Sequence, residues 1–214
     1  MANTKDYKKE FKDLYLPENK PMLIDIPEIQ FAAIQGKGNP NEENGEYEKA
    51  LSVLYGIQYT IKMSKMGKNP LTGYFDYVVP PLEGFWWFDG NVKIPPTDKS
   101  KFNWVSVIRL PEFVTSDIFK WACDEVQSKK GIETKGAKFL KIKEGLCVQC
   151  MHLGSYDSEP KTLKTMEDFI TLNGLINDIN DKRRHHEIYL NDPQKTDKDK
   201  LKTVLRIPVK RADS

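Results

Sequence analysis

Residues 107–111 read Val-Ile-Arg-Leu-Pro, and residues 204–208 read Val-Leu-Arg-Ile-Pro. Both runs keep the same residue types in the same order. Pro96 stands eleven residues before Val107 and Pro193 eleven before Val204, so the segments leading into the two runs also agree in length. Each run closes a stretch whose pattern reads strand, helix, strand, strand, and duplication accounts for the shared order better than chance does. The expected fold is therefore α+β: two βαββ modules, about 22–113 and about 138–210, related by a pseudo-two-fold axis with a ligand cleft between them. A connecting helix is expected over about 115–131. An N-terminal arm over 1–20 precedes a single domain over 21–210.

The elements follow from periodicity. Residues 22–36, MLIDIPEIQFAAIQG, read as a strand interrupted near Pro27. From Asn41 to about Lys65, Tyr47, Ala50, Leu51, Leu54, Ile57 and Ile61 recur at spacings of three and four, the mark of an amphipathic helix. Gly67, Asn69 and Pro70 stop it. GYFDYVVPPLEGFWWF, broken at Pro80 and Pro81, and FNWVSVIRLPEFV are dense in β-branched and aromatic residues and read as strands joined by a long polar connection. The helix TSDIFKWACDEVQSKKG takes Thr115 or Ser116 as N-cap and Gly131 after its last turn, with Ile118, Phe119, Ala122 and Val126 facing inward. GLCVQCMHLGSY, RHHEIYL and LKTVLRIPV are strands, and TLKTMEDFITLNGL is a helix. In the arm, Phe11, Leu14 and Tyr15 are expected to rest on the body.

The 33 basic and 31 acidic side chains leave a formal net charge of +2, scattered rather than massed, which argues against nucleic-acid binding by bulk electrostatics. No run approaches the roughly 20 apolar residues of a membrane helix, and MANTKDYKKEFKDLY lacks the apolar region of a signal peptide. A soluble, cytoplasmic protein is expected. The three cysteines, Cys123, Cys147 and Cys150, are too few for a disulfide framework. CVQC has CxxC spacing on a strand, with no second pair or His cluster to complete a zinc site, so no metal and no cofactor are expected. GKGNP, at 36–40, lacks the third glycine of a dinucleotide fingerprint and the Lys-Ser/Thr of a P-loop, and reads as a tight turn.

Residues 82–90, LEGFWWFDG, carry four consecutive aromatics. Successive strand side chains point to opposite faces, so Trp86 and Trp87 cannot share one core unless both faces are covered. One face is open to another use. In HHEIYL, His185, Glu187 and Tyr189 share one face while His186, Ile188 and Leu190 share the other. A Glu among apolar residues on a central strand needs a partner or is held there for use. Glu83, beside Gly84 at a Pro-Pro bend, reads as a turn carboxylate bonded to backbone. His152, within an apolar strand, reads as a hydrogen-bonded core or cleft-edge residue. Arg109 and Arg206, at equivalent places in the repeat, read as structural cations paired with acids.

The paired βαββ order, PPLEGFWW, and RHHEIYLNDP followed by LKTVLRIPV resemble the GyrI-like small-molecule-binding proteins of SHS2-like fold. The likeness extends to their stand-alone subfamily that includes cyclopropanoid cyclopropyl hydrolases, and it covers roughly residues 20–210. The resemblance implies a hydrophobic, planar ligand and a functional glutamate on a strand of the second module, matched by Glu187. It also implies an aromatic cage and hydrolytic opening of the cyclopropane in DNA-alkylating genotoxins. In that chemistry a carboxylate orients and deprotonates water, and a hydroxyl bonds the oxygen on which charge develops. Glu187 suits the first role and Tyr189 the second, with His185 on the same face. Trp86, Trp87 and Trp104 are the expected ligand walls; Tyr55, and after it Tyr59, is a further candidate from the first helix. The same cage would serve a protein that sequesters drugs or metabolites without chemistry, and a modulator of DNA gyrase is a third reading. A ligand-responsive transcription factor is disfavoured, since a helix-turn-helix has no room before residue 20. A cleft completed within one chain needs no dimer, so a monomer is expected.

Overall fold

Alternating apolar residues draw β1, Met22–Lys37, into a single strand of sixteen residues. The interruption expected near Pro27 does not occur: the strand is continuous and Pro27 lies exposed in it, as a proline can where no ladder bond requires its N–H. The computed structural model describes residues 4–67, 70–89 and 99–212. Most of the polar connection expected after Phe88 (residues 90–98) and the Asn69 stop lie outside the described residues. Ahead of β1 come two short helices, α1 (Tyr7–Glu10) and α2 (Lys12–Tyr15). After it follow α3 (Glu46–Met63), β2 (Leu82–Phe88), β3 (Phe102–Arg109), α4 (Ser116–Lys130) and β4 (Ala137–Leu153). The chain ends with α5 (Glu159–Leu172), β5 (Leu175–Asn177), β6 (His185–Tyr189) and β7 (Lys202–Arg211). This is a mixed fold of β-rich sheet and helices, as the sequence pattern requires.

The chain divides into two units, with β1, β2 and β4 each contributing residues to both. The first unit comprises Met1–Asp6, Ile29–Pro80 and Trp86–Ile142. Here β1 and β3 pair antiparallel in a register that runs from Phe31 opposite Arg109 to Lys37 opposite Asn103. Gly36 therefore faces Trp104, and a Cβ on Gly36 would sit 2.3 Å from the Trp104 ring, so only glycine lets that ring lie flat across the strand. α3 buries Ala50, Leu54, Ile57 and Ile61 from the expected stripe, together with Val53 and Gln58. Gln58 Nε2 donates to the Arg109 carbonyl at 3.0 Å, tying the helix to β3. The helix starts five residues later than its periodicity suggests. Asn39 accepts from the Asn41 N–H at 3.0 Å and Asn44 adopts φ 56°, local turn bonding that competes with a helix. α4 opens on Thr115, whose hydroxyl accepts from the Ile118 N–H at 3.3 Å, and closes on left-handed Gly131.

The second unit comprises Tyr7–Glu28, Pro81–Phe85 and Lys143–Ser214. β7 is flanked by β4 and β6, and the β2 residues of this unit border β6. The register places Gln149 opposite Arg206, and His186 opposite the same Arg206. Side chains directly opposite share a face, so parity sorts the sheet into two sides. On one, Val148, Cys150, Leu205, Ile207 and Val209 pack against Met166 and Ile170 of α5. On the other, Arg206 and Gln149 meet the arm: Arg206 Nη2 donates to the Leu14 carbonyl at 2.6 Å and Gln149 Nε2 to the Asp13 carbonyl at 2.6 Å. Leu14 and Tyr15 are buried there. Both thiols of CVQC are buried and free, and burial pushes Cys150 up to about 11 and Cys147 to about 12, which removes thiolate character at neutral pH.

Candidate functional site

Glu187 lies opposite Leu205 in the β6–β7 register and so belongs to the α5 side of the sheet. Its carboxylate is held at both oxygens. The Tyr189 hydroxyl donates to Oε2 at 2.7 Å, and His185 Nε2 lies 3.2 Å from Oε1. His185, Glu187 and Tyr189 thus share a face, as strand parity requires, and the structure brings the three together. The side chains of His185 and Glu187 are 17% and 15% exposed, neither sealed nor free in water. The Tyr189 proton, expected to serve a substrate oxygen, is directed at Glu187. A carboxylate so held keeps further lone pairs for a water or a ligand donor.

Tyr156, in the turn that leads into α5, packs its ring edge-on against Tyr189, with centroids 6.0 Å apart. Burial and the negative charges of Glu159 and Glu187, then Asp192, push its phenol up to about 12. Glu159 follows one turn later. Its Oε1 is shielded from solvent and has no hydrogen-bond partner among the described residues. Burial first, then the charges of Glu187 and Asp157, push its carboxyl up to about 10. A helix start favours an anion by about 0.3–1 kcal/mol, less than the ~1.4 kcal/mol of one tenfold change in protonation. The helix end opposes that rise only weakly, so its surroundings favour the protonated form of Glu159. The sequence reading missed it, because the expected helix begins at Thr162 and leaves Glu159 in the polar stretch before it.

On the opposite face of β6, His186 is fully buried between two acids. Nδ1 lies 3.0 Å from Glu144 Oε1. Nε2 lies 3.0 Å from Glu83 Oε2, an ion-pair contact without the alignment of a hydrogen bond. Phe85 stacks on the imidazole with centroids 4.0 Å apart. Arg206 Nη1 donates to the same Glu144 oxygen at 3.0 Å and its Nε to Gln149 Oε1 at 3.2 Å, while the Tyr15 hydroxyl donates to Glu83 Oε1 at 3.3 Å. Burial opposes every charge here, yet His186 and Arg206 hold Glu144 down at about 2, and the two acids raise His186 above its ordinary value. Two acids balance two cations. Glu83 is corrected by this geometry: it is a buried strand residue, 1% exposed, and not a turn carboxylate. Glu144 reaches this face because left-handed Gly145, at φ 66°, breaks the strand alternation.

The aromatic candidates belong to the first unit. Trp86 is half-buried, with Tyr47 at 5.7 Å and Phe102 at 5.9 Å between centroids, and Trp87, of opposite parity, is half-buried too. Trp104, expected to line a ligand site, is 1% exposed and belongs to the core beneath Tyr47, so its face is not open to a ligand. Tyr55 is half-buried on α3 and stacks with exposed Tyr59 at 6.5 Å. Arg109 pairs with Glu112 at 3.2 Å, and His152 is buried with Nδ1 2.8 Å from the Thr162 hydroxyl. Among the described residues no three His, Cys, Asp or Glu side chains are placed to hold a metal, and no helix is long and apolar enough to cross a membrane.

A β-rich α/β fold whose second unit displays an oriented carboxylate among phenols and an imidazole, and whose first unit carries half-buried tryptophans, suits a small-molecule-binding class of protein. The chain belongs to the GyrI-like family: the model of the GyrI-like small molecule binding domain matches residues 19–210. It is similar to a crystal structure of a hydrolase from Listeria innocua at 45% identity, with a TM-score of 0.88 over 97% of this chain and 100% of that one. It is also similar to an uncharacterized conserved protein from Listeria innocua at 46% identity, with a TM-score of 0.91 and the same coverage. The EcmrR C-terminal domain, at 13% identity and a TM-score of 0.53, shares the fold over 90% of this chain and 98% of that one. No curated protein sequence matches the chain.

Proposed function

We propose that the protein is a hydrolase that binds a hydrophobic, planar small molecule and adds water to it, within a functional domain spanning residues 21–210. The observation that carries this reading is the Glu187 carboxylate, positioned at both oxygens by Tyr189 and His185 on a partly exposed strand face. The similarity to a hydrolase at 45% identity along essentially the whole of both chains supports it. Glu187 is the base and Tyr189 and His185 hold its orientation. Trp86 and Trp87, with Tyr55, supply stacking area, which favours flat conjugated or electron-poor ligands.

The substrate class is a cyclopropane fused to a conjugated dienone, the electrophile of DNA-alkylating natural products. Water attacks a cyclopropane carbon while Glu187 accepts the water proton. The strained C–C bond breaks, its electrons pass into the dienone, and the carbonyl oxygen gains a proton to become a phenol. Positioned general bases contribute about 10²–10⁴-fold to such steps. Mass spectrometry of a cyclopropane-fused dienone incubated with the purified protein and with Glu187→Gln is the test. Gain of one water with the wild type, lost in the variant, is the expected result. Recovery of intact compound from the wild type despite tight binding would replace the hydrolase by a sequestering protein.

A further inference from the structure

The geometry points to Glu159 as a second carboxyl of this site, the acid that delivers the proton taken up by the substrate oxygen. The inference rests on the hydrolase reading and supplies what that reading lacks. Water addition needs one group to remove a proton and another to donate one, and the Tyr189 hydroxyl donates to Glu187 at 2.7 Å. Tyr156 packs on Tyr189 at 6.0 Å. Glu159 stands three residues after Tyr156, where the 3₁₀ turn Tyr156–Ser158 runs into α5, and side chains three apart in such a turn lie on one side. Glu159 therefore shares a side of the turn with Tyr156, and its charge acts on the Tyr156 phenol as that of Glu187 acts on both. Its Oε1 is shielded from water with no hydrogen-bond partner among the described residues, the state of a donor or acceptor kept for a ligand.

The groups that bear on Glu159 are Glu187 from β6 and Asp157 from its own turn, and Tyr156 senses both glutamates. Two carboxyls in one site, with the proton affinity of Glu159 raised by burial and by the charge of Glu187, divide the work of acid and base. Glu187 removes a proton from water as its oxygen bonds to carbon. The Glu159 proton passes to the dienone oxygen as the cyclopropane bond breaks. The product carries both protons of the water equivalent, and proton transfer from Glu187 to Glu159, directly or through solvent, restores the site.

The test uses the full chain, a cyclopropane-fused dienone, and the variants Glu159→Gln and Glu159→Asp. Glu159→Gln keeps the shape and a hydrogen-bond donor but has no acidic proton, so kcat should fall about 10²-fold or more with KM nearly unchanged. Glu159→Asp should retain more of kcat than the Gln variant. Difference infrared spectroscopy of wild type against Glu159→Gln at neutral pH, without substrate, should show loss of one protonated-carboxyl band. Unchanged kcat in a folded Glu159→Gln variant, or absence of that band, overturns the donor role. Failure of the wild type to add water, with the band present, sinks the hydrolase reading and the catalytic role with it, while leaving the neutral acid established.

Discussion

Replacing Glu144 by Gln should cost the protein a large part of its stability, and the loss should depend on pH in a defined way. The Glu144 side chain is 8% exposed and receives His186 Nδ1 and Arg206 Nη1, each at 3.0 Å. Its fall from 4.5 to about 2 corresponds to roughly 3 kcal/mol of folding free energy at neutral pH. Removing one partner from a buried pair gives a similar figure from a different direction, about 3–5 kcal/mol. Against a typical total of about 5–15 kcal/mol this is a heavy loss. Glu144 is depressed in the folded state, so its contribution is present above 4.5 and disappears as pH falls towards about 2. His186 is raised, so its contribution is complete below 6.5 and disappears as pH climbs through its folded value. The gap between wild type and variant should therefore be widest between 4.5 and 6.5. Urea unfolding followed by far-ultraviolet circular dichroism measures it; Trp86, Trp87, Trp104 and Trp121 all belong to the first unit, so fluorescence would report on the wrong one. A loss under about 1 kcal/mol at pH ~5.5, or a gap that does not shrink by pH ~3, would refute the reasoning.

Two further outcomes test the first unit. Trp86→Ala removes an aromatic face worth roughly 0.5–1.5 kcal/mol per stacked partner. Isothermal calorimetry with a planar aromatic ligand should show Kd rising about 2- to 12-fold; a lower melting temperature with unchanged Kd would return Trp86 to a packing role. Gly36→Ala drives a methyl to within 2.3 Å of the buried Trp104 ring. Overpacking of this kind costs about 1–3 kcal/mol, and a thermal melt equal to the wild type's would show that the ring moves freely aside.

The helices were legible because each buries one stripe at helical spacing: α3 and α4 fall within the expected stretches, while α5 begins at Glu159, three residues ahead of the expected Thr162. The strands closing on Val107–Pro111 and Val204–Pro208 were legible from β-branched density. What escaped was local. β4 begins at Ala137 rather than near Gly145, because the stretch AKFLKIKE is rich in charge and reads as loop. β5 has three residues, too few to carry a pattern. The Asn39 turn shortens α3 by side-chain bonding that periodicity does not encode.

The site was half legible for a reason that β6 makes plain. Alternation alone assigns His185, Glu187 and Tyr189 to one face and His186 to the other, and both assignments hold. Alternation does not say what each face meets. Glu83, Glu144 and Arg206 converge on His186 from three distant stretches of chain, one of them through a parity break at Gly145, and no local spacing announces that meeting. Nor does Glu159, three residues ahead of the expected helix, announce that it will feel the charge of Glu187. The two faces then diverge by charge balance. On the His186 face two acids meet two cations, which together hold Glu144 at about 2, so all of them are committed to holding the arm and sheet together. On the Glu187 face a phenol and an imidazole hold one carboxylate, while burial and the charge of that carboxylate push Glu159 up to about 10. Acids compensated by cations fix structure, whereas an acid buried in another's field is driven towards its protonated form, which is the state a proton donor needs.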